Sequence, residues 1–395
     1  MLLFMMTLML VSGLQEPSDE LTRAEESRLA RESKAQNLEA PTRTGFETAL
    51  YEFKEGRMME RFQEGVFGFR PLLGGMHTGS GFALGTSYSK FGFRSSAQAS
   101  LLGYQKYEIG FSPSRLFSDR VFADIHATYR NYPQEDFFGT GSSSRVQDRT
   151  NYRLEDLNYG GEIGVRLKDH VKAGAYVGRV QTHLGTGTDP RFPSVENVFD
   201  AKDLPELEAQ PGYLQTSAFL EVDNRDEPGN PRAGGRYVAK WSSFNDRDLG
   251  RYDFSQYDLE AQHYFPFFNQ RRVIALRGKT TLTRTADGQE IPFFMMPTVG
   301  GSEDLRGYTE FRFRDRNMVV FNAEYRWEAF AGLDLALFAD AGQVAPHARD
   351  LDLGDLKTAT GFGFRFNTAK SVFLRVDVGF SKEGERVFMK FAHVF

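Results

Sequence analysis

The chain has 395 residues, with 48 Lys and Arg against 53 Asp and Glu; the formal net charge of −5 argues against general nucleic-acid binding. It contains no cysteine, which excludes a disulfide scaffold, a thiol nucleophile and a Cys-ligated metal. A composition of 37 Phe, 16 Tyr and 39 Gly against 2 Trp suits an all-β chain better than a helical one.

In chain order, residues 1–11 (MLLFMMTLMLV) form an apolar run of signal-peptide size, too short to span a bilayer. Ser12 and Gly13 follow as small residues suited to cleavage, so residues 1–14 read as a signal peptide. Residues 15–65 are polar and helix-permissive, with too few apolar positions for a core of their own. They are expected to be a periplasmic N-terminal tail with one or two short helices.

Residues 66–395 are expected to form a transmembrane β-barrel. No later run of about 20 apolar residues exists for a membrane helix, and from about Gly79 the apolar pattern takes a period of two. Strands are expected near 79–91, 93–113, 117–132, 151–168, 170–185, 212–226, 233–246, 251–266, 271–285, 315–328, 332–344, 357–368, 370–381 and 385–395. That is about 14 strands, with 12–16 open because the stretch 91–113 can be divided. The period is clearest at the C-terminal end. Val319, Phe321, Ala323, Tyr325 and Trp327 share one face, against Met318, Asn322, Glu324 and Arg326. Leu335, Leu337, Ala339 and Ala341 likewise oppose Asp334, Phe338, Asp340 and Gly342.

Alternation alone does not separate a soluble sandwich from a membrane barrel. Strands of about 10–15 residues exceed the soluble norm of about 5–6 and match a tilted membrane strand. Short connections near 168–171, 227–233, 267–271, 329–332 and 368–370 alternate with long ones near 133–150, 185–211 and 287–314, as periplasmic turns and outer loops do. The chain also ends on an aromatic that closes an amphipathic strand. The expected fold is therefore all-β: a transmembrane antiparallel barrel with a long inward-folded loop and a short helical N-terminal tail.

The stretch VGGSEDLRGYTEF, residues 299–311, carries Gly300, Gly301, Leu305, Arg306, Gly307 and Tyr308. It is followed by a Glu-x-Arg pattern (Glu324, Arg326) and a Phe-x-Asp-x-Gly pattern (Phe338, Asp340, Gly342). These residues resemble the bacterial surface antigen superfamily, which includes the BamA and TamA assembly barrels and the two-partner-secretion transporters. The upstream Asp223, Arg225, Asp226, Pro231 and Gly234 are similar to another stretch of that family. The resemblance implies that the Leu-Arg-Gly-Tyr motif sits at the tip of a loop folded into the barrel. It also implies that the last strand, through Phe391, His393 and Phe395, is an outer-membrane assembly signal; His393 departs from the aromatic usual at that place. Two further departures stand out: the roughly 60 residues before the barrel are too few for a periplasmic POTRA domain, and about 14 strands fall short of the family's 16.

Elementary chemistry gives the motif a role of its own. Glycines 300, 301 and 307 permit a tight tip, and the planar fork of Arg306 suits a two-bond pair with a carboxylate. Asp340 and Glu324, on lumen faces of neighbouring strands, are the candidate partners. In a dry contact, loss of one partner would cost about 3–5 kcal/mol, and in a wet lumen under about 1 kcal/mol.

The seven His are scattered without metal-ligand spacing, and no nucleophile elbow or phosphate loop is present. No catalytic residue, metal or cofactor is expected, and the chain is not expected to be an enzyme. The resemblance implies a barrel at the bacterial outer membrane that moves or inserts polypeptide, or lipid, without POTRA domains. The implied partners are outer-membrane lipid, the outer-membrane assembly machinery and a translocated polypeptide. A passive pore or structural barrel is the alternative.

Overall fold

The computed structural model describes residues 28–29, 33, 44–55, 67–74, 76–77, 79–113, 120–200, 204–207, 210–368 and 370–391. The expected signal peptide, His393 and Phe395 lie outside these residues, as does most of the expected tail. Within the tail, Gly45–Glu55 is helical. Thr44 starts it with a capping box: its amide donates to Glu47 Oε2 (2.8 Å) while its hydroxyl accepts from the Glu47 amide (3.2 Å).

From Phe69 onward the chain is nearly all strand. The first four strands are β1 (Phe69–Leu73), β2 (Ala83–Lys90), β3 (Phe93–Ser100) and β4 (Gln105–Phe111). Longer strands follow: β5 (Val121–Phe137), β6 (Thr150–Lys168), β7 (Val171–Thr186), β8 (Gly212–Asp223), β9 (Gly234–Asp246), β10 (Phe254–Phe267) and β11 (Arg272–Thr285). Two short pieces, β12 (Thr298–Val299) and β13 (Phe313–Arg314), pair with each other alone. The chain then completes the wall with β14 (Asn317–Phe330), β15 (Leu333–Ala345), β16 (Lys357–Asn367), β17 (Val372–Ser381) and β18 (Gly384–Lys390). Apart from β12 and β13, each strand pairs antiparallel with its sequence neighbour, giving a barrel wall of 16 strands ordered β1 to β18.

The sixteen strands of the wall are the upper end of the 12–16 left open around the expected fourteen. The stretch 93–113 divides, as its sequence allows, at a turn whose residues Leu101 and Leu102 are apolar, so the periodicity does not mark where. There the Gly103 amide bonds Ser100 O (3.1 Å) with Gly103 at φ 83°. The other added strand, β1, is only 5 residues long and contains Pro71. β2 starts at Ala83, later than expected, because Gly79 and Gly81 take positive φ. β5 runs on through Pro133 to Phe137, because a register shift between Tyr132 and Glu135 takes up the missing proline amide.

The two faces of the wall differ as alternation requires. Ile125, Ile163, Val177, Leu259, Phe321, Leu337 and Phe362 stand outward and exposed, which in a bilayer puts them against lipid. Glu324, Arg326, Asp340, Arg365, Arg375 and Asp377 point inward and are buried. The connections at one end of the wall are short, as at residues 91–92, 169–170 and 331–332, while those at the other end, the outer end on the expected orientation, include residues 187–211 and 286–316. Strand length is uneven around the wall: β1 to β4 have 5, 8, 8 and 7 residues and β18 has 7, against 17, 19 and 16 for β5 to β7.

Candidate functional site

The connection 286–316 does not stay outside. Its neck is the β12–β13 ladder, with Thr298 opposite Arg314 and Val299 opposite Phe313. Its tip is the one-turn helix Gly301–Asp304, followed by Leu305–Tyr308. Leu305 and Tyr308 pack with Val299, Phe313, Val320 and Ala359 in a small apolar core on the inner wall. The glycines make this docking possible. Gly300 and Gly301 take φ of 137° and 84°, and a Cβ on Gly301 would fall 2.0 Å from Glu310 Oε2. A Cβ on Gly307 would fall 2.6 Å from Ser381 and 2.8 Å from Ala359. Gly342 opens room for Val299, which would stand 2.9 Å from a side chain there.

Arg306 is the centre of the site and has no exposed surface. Its Nε and Nη2 donate to Asp340 Oδ2 and Oδ1, both at 2.8 Å, in the two-bond pairing of a fork with a carboxylate. Its Nη1 donates to Glu324 Oε2 at 2.5 Å, and its backbone amide adds a bond to Asp340 Oδ2 at 3.1 Å. Its guanidinium lies 3.6 Å from the centre of the Phe338 ring, so one face of the cation is stacked. Burial pulls the guanidinium pKa down, but Asp340 and Glu324 more than offset it and hold the group above the ordinary arginine value. The contact is the dry one, where removing a partner is expensive.

The wall carries this pairing onward. Glu324 also accepts from Arg326 Nε (2.7 Å) and Arg365 Nη2 (3.0 Å). Arg365 reaches Asp377 at 2.6 Å, and Arg375 bonds Ser302 O in the loop at 3.2 Å. Asn322 donates both to Asp340 Oδ1 and to Asp304 O, each at 2.8 Å, and Arg277 holds Asp304 at 3.1 Å. Arg277, Asn322, Arg365 and Arg375 were absent from the sequence-based site. Their signal was a charged or amide side chain on the inward face at the height of Glu324 and Asp340, and it needed the strand register to be readable. Of the expected C-terminal signal, only Phe391 is described; its ring packs edge-on against Phe373 at 5.6 Å.

A model of the Omp85 superfamily domain matches residues 82–391. The chain belongs to the Omp85 superfamily. Its fold is similar to that of BamA from Haemophilus ducreyi lacking POTRA domains 1–3, with a TM-score of 0.60 and 14% identity, covering 82% of this chain and 69% of that one. CdiB from Acinetobacter baumannii matches with a TM-score of 0.48 and 11% identity over 80% of this chain and 56% of that one. No curated protein matches.

Two more features of this Omp85 barrel bear on what it can do. An apolar cluster packs over part of the outer mouth: Phe137 and Tyr152 from the ends of β5 and β6, Val195 and Leu204 from the connection 187–211, and Phe293 and Phe294 from the connection 286–316. Arg314 fastens it through Phe293 O (2.8 Å) and the Tyr152 hydroxyl (3.2 Å). Second, β1 and β18 stand at the two ends of the strand order, with no ladder between them among the described residues. They meet where a Cβ on Gly74 would fall 3.2 Å from the Phe391 ring. That contact sets the C-terminal end of β1 against the C-terminal end of β18, so among the described residues β1 does not run beside the start of β18.

Proposed function

We propose that this chain works at the bacterial outer membrane as an Omp85-type barrel that inserts or translocates polypeptide, and that its route is sideways through the β1–β18 seam. The observation that carries this reading is the loop docked in the C-terminal half of the lumen beside edge strands β1 and β18 that share no ladder among the described residues. The inward loop, held by Arg306, occupies the C-terminal half of the lumen, and an apolar cluster packs over part of the outer mouth. A steady passive pore needs the reverse: a clear lumen and a continuous wall.

The strands beside the seam support the same reading. Eight residues rise about 27 Å along a strand, and a tilt near 45° leaves roughly 19 Å of membrane-spanning height. That is well short of a hydrocarbon core of about 30 Å. A short wall thins the adjoining bilayer or is paid for by mismatch strain. Either way, the membrane beside the seam is the weakest around the barrel, where a client strand meets the smallest barrier. On this reading residues 1–14 are a signal peptide and residues 15–65 a periplasmic tail, and the partners are outer-membrane lipid, the assembly machinery and the client polypeptide.

The test is Arg306→Ala in liposomes, read by insertion of an unrelated barrel client and by planar-bilayer conductance. The barrel is expected to assemble while client insertion or gating changes several-fold. Unaltered insertion and gating, with steady solute-permeable conductance, would return the chain to the passive-pore reading.

A further inference from the structure

The limb of the inward loop just beyond its tip touches both sides of the seam. On one side, the connection between β1 and β2 places His77 with its ring 5.3 Å from that of Phe311. His77 is itself fixed, with Nε2 2.7 Å from Glu135 Oε1 and its ring 4.9 Å from Tyr104. On the other side, the turn between β17 and β18 supplies Glu383. Arg312 Nε donates to its two oxygens at 2.9 and 3.0 Å, and Arg312 Nη2 lies 2.8 Å from Oε1.

Two neighbouring residues therefore hold the first and last hairpins of the wall. Arg312 is buried, stacks against Phe138 (4.9 Å) and Phe313 (4.5 Å), and donates to Ser144 Oγ and O of the outer connection after β5 (2.9 and 2.7 Å). Phe311 takes φ 56°, a left-handed conformation that a bulky side chain rarely adopts. Strained backbone of this kind persists only where the surroundings enforce it. Here the surroundings are the aromatic group of the first hairpin and the ion pair to the last.

We infer that Phe311 and Arg312 form a clasp that ties the first and last hairpins of the wall to each other and so holds the outer end of the seam shut. The inference rests on the seam being the working route. It adds which contacts must break for that route to open, and that the outer roof, through Ser144, shares one of them. Arg306 anchors the loop to the wall, whereas Phe311 and Arg312 tie the wall's two ends to each other.

The clasp is testable because the chain has no cysteine of its own. Spin labels on Leu72→Cys and Met389→Cys, in the full chain in nanodiscs, report the distance between the edge strands by pulsed dipolar spectroscopy. The parent is expected to give one narrow distribution. Arg312→Ala should add a longer-distance population, raising the open fraction about tenfold, as loss of a charged hydrogen bond would, and Phe311→Ala, which removes the ring contact with His77, should add a smaller one. Glu383→Gln, in an outer turn, should do so to a lesser degree and covers the case in which Arg312→Ala does not fold. Heat-dependent gel mobility monitors folding, and Arg349→Ala, on an exposed side chain, serves as the control. An unchanged distribution in folded Phe311→Ala and Glu383→Gln overturns the clasp. Client insertion separates the two readings: a seam that opens without any change in insertion counts against the lateral route and leaves the clasp standing. A seam indifferent to these variants, while a crosslink across it abolishes insertion, counts against the clasp alone.

Discussion

At the scale of single residues, the site is a cation buried in the wall of a protein whose bulk composition is ordinary. Arg306 is tolerable there because Asp340 receives its fork, Glu324 receives its remaining arm and Phe338 covers its face. Breaking such a pair from one side costs about 3–5 kcal/mol, because the stranded charge cannot reach water. The backbone makes a second demand. A Cβ on Gly379 would fall 1.6 Å from Arg306 O, with no flexible side chain able to yield. Gly379→Ala leaves every charge in place and is expected to undock the loop as Arg306→Ala does. Limited proteolysis of the loop around residues 302–308 checks this: equal protection in Gly379→Ala and parent would show that the loop is held by charge alone.

At the scale of elements, the outer roof is tied by a carboxylate that dislikes its surroundings. Glu206 is a buried residue of the connection 187–211 and accepts the Phe293 amide at 2.6 Å. Burial raises its carboxyl pKa above the ordinary glutamate value of 4.5, and the backbone bonds only partly counter it. For a group raised on folding, the stabilisation is complete below pH 4.5 and is lost as pH rises through the folded value. The roof should therefore be tightest in mild acid and loosen toward neutrality. Glu206→Gln keeps an acceptor for Phe293 and carries no charge, so it should flatten that dependence. Amide exchange at Phe293 across this pH range is the measurement; a slope that survives the substitution would place its origin elsewhere.

At the scale of the whole molecule, the wall is long and continuous from β5 to β17, and its first four strands are short. The lumen is uneven in the same sense. Beside β10 to β18 it holds the docked loop, while beside β3 to β9 a polar cavity of about 600 Å³ remains, lined by Arg94, Asp124, His126, Glu162, Lys172 and Tyr176. Motion of the barrel is thus cheapest at the seam. A covalent bridge between positions 74 and 391, where the edges already touch, should leave folding and loop docking intact and reduce client insertion to background. Full insertion by the bridged barrel would exclude the lateral route.

The sequence by itself determined the alternation and, through strands too long for a soluble sheet and connections alternately short and long, the barrel. It also determined the glycines and arginine of the loop tip, because residues 300–308 combine conformational freedom with a permanent planar charge that must find carboxylates. Glu324 and Asp340 were legible as those partners because each occupies the inward phase of a well-patterned strand. Tertiary structure alone decided the rest. Leu101 and Leu102 turn the chain while looking like strand, and β1 is too short to show a period. Arg312, Glu383 and His77 lie on three distant connections with no local pattern. Period and turn chemistry act between near neighbours along the chain, whereas the clasp and the charge network exist only once strand register has fixed which side chains stand at the same height on opposite parts of the wall.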